Sequence, residues 1–197
     1  LKNNNIVTIY NWVDLKKFYP RNNKKDKIFT ILGVSARWTN DMPKLRDFVK
    51  MAKMLPENIR MLLIGEMDSN VVLPTNILNI PYVEDQNEMA EYYSKADVYV
   101  HLSREDSFGK VIIEAMACGT PVVVYDSTAC PELVEDGSGY VVDVGNVAEV
   151  YDRVLQIKEI GSENFRKACV SKAKKYEKNL LIEQTYEFYE AMIKLDR

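Results

Sequence analysis

Residues 96–124 read ADVYVHLSREDSFGKVIIEAMACGTPVVV, and their pattern decides the fold. Two short apolar runs rich in β-branched residues, Val98 to Leu102 and Pro121 to Tyr125, enclose a polar loop and a segment from Lys110 to Cys118. In that segment Val111, Ile112, Ala115 and Met116 recur at helical spacing. A strand that is apolar without alternation is buried on both faces, and a helix between two such strands implies a parallel crossover.

Outward from this unit the same alternation continues. Further strand-like runs span Ile28 to Leu32, Arg60 to Ile64, Ile77 to Ile80 and Gly139 to Val142. Between them Leu45, Phe48, Val49, Ala52 and Leu55 share one helical face, and Met89, Tyr92, Tyr93 and Ala96 another. The fold class is therefore α/β, a doubly wound, Rossmann-like parallel sheet covered by helices. The Met and Tyr residues on these faces read as packing groups, which fill irregular space against a sheet.

After Val142 the pattern becomes helix alone: Val147 to Ile160, Ser162 to Tyr176 and Leu180 to Ile193, with Gly161 as a break. The last of these helices carries Tyr186, Phe188 and Tyr189 beside Ile182 and Ile193, an amphipathic pattern that calls for a packing partner, such as a second domain.

The chain has 197 residues, enough for one sizeable core, and is 47% hydrophobic and 28% charged, which suits a globular protein. Its 26 basic and 29 acidic residues give a net charge of -3 without a basic stripe, so nucleic acid is not an expected partner. The one basic cluster, Arg21 to Lys27, is interrupted by Asn22, Asn23 and Asp26 and reads as a solvated loop. Cys118, Cys130 and Cys169 show neither disulfide nor zinc spacing, and no basic partner that would activate a cysteine nucleophile is recognisable. No apolar run approaches about 18 residues and no signal peptide is recognisable, so a cytoplasmic location is expected. Because the sequence opens at Leu1, a fragment of a longer protein is expected.

In an open α/β sheet, ligands bind beyond the carboxyl ends of the strands, where helix N-termini present free amides. The polar loop Ser103 to Gly109 occupies such a position. Gly109 permits close backbone approach, so the amides near Phe108, Gly109 and Lys110 suit a diphosphate. Asp106 and Glu114 flank that point, and carboxylates accept hydrogen bonds from sugar hydroxyls. The alternative is structural: Asp106 or Ser107 caps the helix and Glu114 lies on a solvated face.

The stretch 96–124 resembles the signature of the family 4, or group 1, retaining glycosyltransferases of the GT-B fold, in which two acids are separated by seven residues; here those acids are Asp106 and Glu114. The usual first acid is Glu, so Asp106 gives a shorter reach. Asn11-Trp12-Val13-Asp14 with Phe18-Tyr19-Pro20 resembles the segment that enters the C-terminal domain, with Trp12 at a usual Gly. Gly65 resembles the glycine after the second strand, and Thr128 to Glu132 with Gly137 and Gly139 resembles the approach to the last strand.

The resemblance implies half of a GT-B fold: residues 1–26 as interdomain linker, 27–175 as the nucleotide-sugar-binding domain, and 176–197 as a helix crossing back to an acceptor-binding N-terminal domain. It also implies that Glu114 binds the ribose hydroxyls, Asp106 the donor sugar, the amides of Phe108 and Gly109 the phosphate, and Val111 the ribose or base. The base would lie near Pro81, Tyr82 and Val83. The leaving diphosphate would be neutralised by cations rather than a metal, and no cofactor is expected. Arg37 matches one family cation. The Lys expected about five residues later falls on Met42, with Lys44 or Lys110 as substitutes. His101, at the strand end, reads as structural.

The implied activity is retaining transfer of a sugar from a nucleotide diphosphate donor, UDP-linked as is common in the family, in polysaccharide or glycolipid assembly. Membrane contact, if any, would come through the preceding half. A catalytically silent nucleotide-sugar-binding module is the alternative, and a nucleotide-sugar epimerase the more distant one.

Overall fold

The computed structural model describes residues 7–21 and 27–195. Most of the expected solvated loop at 21–27 lies outside the described residues.

Six parallel strands form one sheet: β1 (Phe29–Trp38), β2 (Ile59–Met67), β3 (Ile77–Ile80), β4 (Val98–His101), β5 (Val122–Tyr125) and β6 (Gly139–Val142). Their order is β3-β2-β1-β4-β5-β6. The chain winds outward from β1 to β3, returns to place β4 beside β1, and then winds the other way. The seam between β1 and β4 is therefore the topological switch point, where doubly wound sheets bind ligands. The central strands β4 and β5 are buried at every residue, as continuous apolar runs require.

Helices α1 (Pro43–Ala52), α2 (Gln86–Lys95), α3 (Lys110–Ala117) and α4 (Val147–Ile160) cover the sheet, followed by α5 (Arg166–Lys174) and α6 (Lys178–Leu195). Their starts follow local chemistry. Asp85 accepts hydrogen bonds from the amides of Asn87 and Glu88 at the head of α2, Asn146 caps α4, and the Glu177 carboxylate accepts from the Asn179 and Leu180 amides. Of the expected core faces, Leu45, Phe48, Ala52, Met89, Tyr93, Ala96, Ile112, Ala115 and Met116 are buried. Val49, Leu55, Tyr92 and Val111 are only partly buried and pack at its margin.

Two strands are longer than their apolar runs. β1 continues through Ser35, Ala36 and Arg37, with a register shift against β2 between Val34 and Arg37. Gly65 consequently lies inside β2, not after it. Its φ is +134°, and a Cβ there would sit 1.8 Å from the Ser35 carbonyl oxygen, so only glycine fits beside the irregular end of β1. Trp38, 1% exposed, closes this corner by donating its indole N–H to the Ile64 carbonyl at 3.1 Å.

The segment 7–21 packs on the domain. Val13 is fully buried, and its amide and carbonyl bond the Tyr176 carbonyl and the Lys178 amide at 2.9 and 3.0 Å. The N-terminal segment is thus clamped to the junction of α5 and α6. Helix α6 exposes Tyr186, Tyr189, Met192 and Ile193. Among the described residues no helix is long and apolar enough to cross a membrane.

Candidate functional site

A cleft of about 500 Å³ opens at the switch point, beyond the carboxyl ends of β1, β2 and β4. Of the residues expected from sequence, Asp106, Glu114, Lys44, Tyr82, Val83 and Val111 all line it. Tyr82 and Val83 come from the loop after β3, Lys44 from α1, Asp106 from the loop after β4, and Val111 and Glu114 from α3.

The two acids lie in opposite electrostatic settings. Glu114 projects from the second turn of α3 into a largely dry wall, where the Tyr93 hydroxyl donates to its Oε2 at 3.3 Å. Burial pushes its carboxyl up to about 7, with the Lys110 charge and the Tyr93 hydrogen bond pulling the other way. The expectation of a solvated face for Glu114, the structural alternative, does not hold.

Asp106 is held low, to about 2, foremost by its hydrogen bond with His101, against a desolvation that acts the other way, with the amides of Phe108 and Gly109 adding to the lowering. Its Oδ1 accepts the Phe108 amide at 3.1 Å and the Gly109 amide at 2.7 Å, and its Oδ2 lies 3.1 Å from His101 Nε2. The alternative of Asp106 or Ser107 as helix cap is not met either: Gly109 is the N-cap, without a side-chain cap, and Asp106 instead closes the loop that precedes α3. This corrects the expectation that the Phe108 and Gly109 amides are open for phosphate. Among the described residues the amides of Lys110 and Val111, one step further into α3, have no hydrogen-bond partner. Gly109 makes this geometry by taking a left-handed φ of +86° at the helix start.

Phe108 itself is buried, with its ring against Tyr10 and Tyr176 at centroid separations of 5.9 and 5.7 Å. Its side chain belongs to an aromatic anchor for the N-terminal segment and does not face the cleft.

The cations divide. Lys44 faces the cleft and stands 5.3 Å from the Trp38 ring centre; burial lowers its pKa, and the Asp106 charge partly restores it. Arg37 does not line the cleft. It is exposed, and its guanidinium is engaged by Asp68 Oδ1, at 2.6 Å from Nη2 and 2.8 Å from Nε. Arg37, expected as a catalytic cation, is placed at the irregular end of β1 beside Asp68, which follows β2. The Lys110 side chain does not line the cleft: its Nζ lies 5.0 Å from the Trp12 ring centre, although its charge is felt at Glu114.

Tyr93 and His101 are among the cleft residues that sequence reasoning does not single out as site groups. Tyr93 was read as packing, and nothing local signals a partner 21 residues away. His101 was read as structural. It is 7% exposed, lines the cleft, and links Tyr99, whose hydroxyl lies 3.0 Å from Nδ1, to Asp106. An ionised carboxylate only accepts, so in the neutral ring Nε2 carries the hydrogen and Nδ1 accepts from Tyr99. The position of His101, last in β4 and two residues after Tyr99 on the same strand face, was the available signal.

Comparison with known proteins gives a consistent result. The sequence profile of the family described as "Glycosyl transferases group 1" matches residues 14–176. The chain is 27% identical over 175 residues to N-acetyl-alpha-D-glucosaminyl L-malate synthase of Bacillus anthracis, covering 79% of this chain and 45% of that protein. It is 24% identical over 215 residues to N,N'-diacetylbacillosaminyl-diphospho-undecaprenol alpha-1,3-N-acetylgalactosaminyltransferase of Campylobacter jejuni, covering 98% and 56%. The fold matches Anabaena HepE, solved in complex with UDP, with a TM-score of 0.79 at 18% identity over 93% of this chain and 57% of that one. The chain spans about half the length of the curated relatives it matches.

Proposed function

The chain belongs to the group 1 glycosyltransferases, and from that premise we propose that its cleft binds the nucleotide diphosphate sugar donor of a retaining sugar transfer. The observation that carries this reading is the pairing of Asp106 and Glu114 on the wall of one cleft at the sheet's switch point, on either side of the unbonded Lys110 and Val111 amides. Glu114 would accept from the ribose hydroxyls, those amides and the N-terminus of α3 would hold the diphosphate, and Tyr82 and Val83 would border the base. Asp106 would meet the sugar with its Oδ2 edge while Oδ1 keeps the loop closed. The fold neighbour solved with UDP favours a UDP-linked donor.

Departure of the nucleoside diphosphate builds negative charge, which Lys44 and the helix amides would stabilise. The proposal needs no metal for that step. The relatives' names favour an acceptor in polysaccharide or glycolipid assembly. Residues 176–197, with the apolar face of α6, would cross back to an N-terminal acceptor domain, with the segment before β1 leading in from it. A cytoplasmic protein, meeting a lipid acceptor at the membrane's inner face through that other half, fits this scheme.

A second reading, a donor-binding module without turnover, draws on Met42 at the expected Lys position and on the capture of Arg37 by Asp68. Both readings predict thermal stabilisation by a nucleotide sugar, since a ligand of the native state raises its melting temperature. A panel of UDP, GDP and ADP sugars tests this. A shift with one base class supports the donor site, and no shift with any member at millimolar concentration contradicts it. Donor hydrolysis by the full-length protein then separates enzyme from silent module.

A further inference from the structure

Close to His101 and Asp106, which line the cleft, lies a third group that the donor site leaves unused, the buried thiol of Cys130. One ligand atom from each, His101 Nε2, Asp106 Oδ2 and Cys130 Sγ among the choices, lies within 4.8 Å of the other two. The two loops that supply them are fastened together. The Asp106 amide donates to Thr128 Oγ1 at 3.1 Å, and that hydroxyl donates back to the Asp106 carbonyl at 2.6 Å. Thr128 makes this double contact with a left-handed φ of 48°, two residues before Cys130 opens a short 3-10 turn.

An imidazole, a carboxylate and a thiolate are a ligand set that suits Zn²⁺ with an open fourth position. We propose that His101, Asp106 and Cys130 form a binding site for a soft divalent cation, open on its fourth side to the donor cleft. Bond lengths of about 2.0–2.3 Å to zinc require the three atoms to draw in by roughly an ångström. Asp106 Oδ1 stays on the Phe108 and Gly109 amides while Oδ2 turns to the cation.

The bonds formed are metal to Nε2, Oδ2 and Sγ. The thiol proton passes to solvent, and the imidazole hydrogen moves from Nε2 to Nδ1, where the Tyr99 oxygen 3.0 Å away accepts it. That outer contact fixes the ring as metal-bound histidines are usually fixed. No electrons are transferred, so no oxidant or reductant is involved. A cation held here takes the Oδ2 edge that the proposed donor sugar would use, so it would act as an inhibitor. That consequence alone rests on the donor-site reading.

The test uses Co²⁺ as a spectroscopic stand-in for zinc on the reduced chain. The proposal expects a thiolate-to-cobalt charge-transfer band in the near ultraviolet that saturates at one equivalent and is displaced by Zn²⁺. It expects the band to vanish in Cys130→Ser and the affinity to fall at least tenfold in His101→Gln, with circular dichroism reporting folding of both. Absence of a saturable band, or an equal band in folded Cys130→Ser, overturns the site; if that variant does not fold, unchanged affinity in His101→Gln does so. Competition between Zn²⁺ and UDP-glucose is a separate arm. A cobalt band without competition keeps the metal site and rejects only its inhibitory consequence.

Discussion

His101 Nε2 stands 3.1 Å from Asp106 Oδ2, joining the last residue of β4 to the loop that opens α3. Because Asp106 Oδ1 also holds the Phe108 and Gly109 amides, one carboxylate ties together the strand end, the loop and the helix start. His101→Leu removes one partner of a partly buried acid, and a lost hydrogen bond of this kind costs about 1 kcal/mol. Urea denaturation should show a lower midpoint with an unchanged slope. An unchanged midpoint would mean that the His101 link carries no stability.

The two acids predict opposite pH dependences. Glu114 is raised by burial from its ordinary 4.5 to about 7, so between these values the folded chain keeps a proton that the unfolded chain has lost. Stability contributed by this group therefore falls as pH rises from about 4.5 to about 7. Asp106, lowered to about 2, contributes stability that is present above its ordinary value near 3.8 and is lost as pH falls toward 2. The windows do not overlap. Stability curves of Glu114→Gln should be flatter between pH 4.5 and 7 than those of the parent, and a slope that persists unchanged refutes the assignment.

Gly65→Ala should be among the most damaging single changes outside the core, because the added methyl meets the Ser35 carbonyl at a φ of +134°. A loss of about 3 kcal/mol is expected from a clash with backbone at a strained dihedral. Chemical denaturation measures it, and a loss under about 1 kcal/mol would show that the two strand ends part easily.

The cation assignments separate by charge on the ligand. Lys44→Ala should weaken UDP by about tenfold, roughly 1.4 kcal/mol, while affinity for uridine stays the same. Arg37→Ala should change neither by more than about twofold, since its guanidinium is spent on Asp68. Equal losses from both variants would return Arg37 to the site.

Much of this was legible in the chain. The strand, polar loop and helix of 96–124 announce themselves because burial on both sheet faces forces continuous apolar runs, and the positions of Asp106 and Glu114 follow from that unit alone. What could not be read was the through-space partner of each side chain. Arg37 is captured by an acid 31 residues away, and Tyr93 reaches Glu114 across 21. The amides of Phe108 and Gly109 read as free because spacing cannot say that the Asp106 side chain folds back over them. The extent of β1 was hidden for a different reason: its last residues include Ser35, Ala36 and Arg37, and the apolar signal stops before the hydrogen-bonded ladder does.

Calorimetric titration of UDP into the parent chain and into Glu114→Ala tests the central claim most directly. The account predicts saturable binding to the parent and an affinity at least tenfold weaker, about 1.4 kcal/mol, in the variant, with its fold intact. Equal affinity in the two proteins would contradict the assignment of Glu114 to the ribose, and with it the cleft's orientation of the donor.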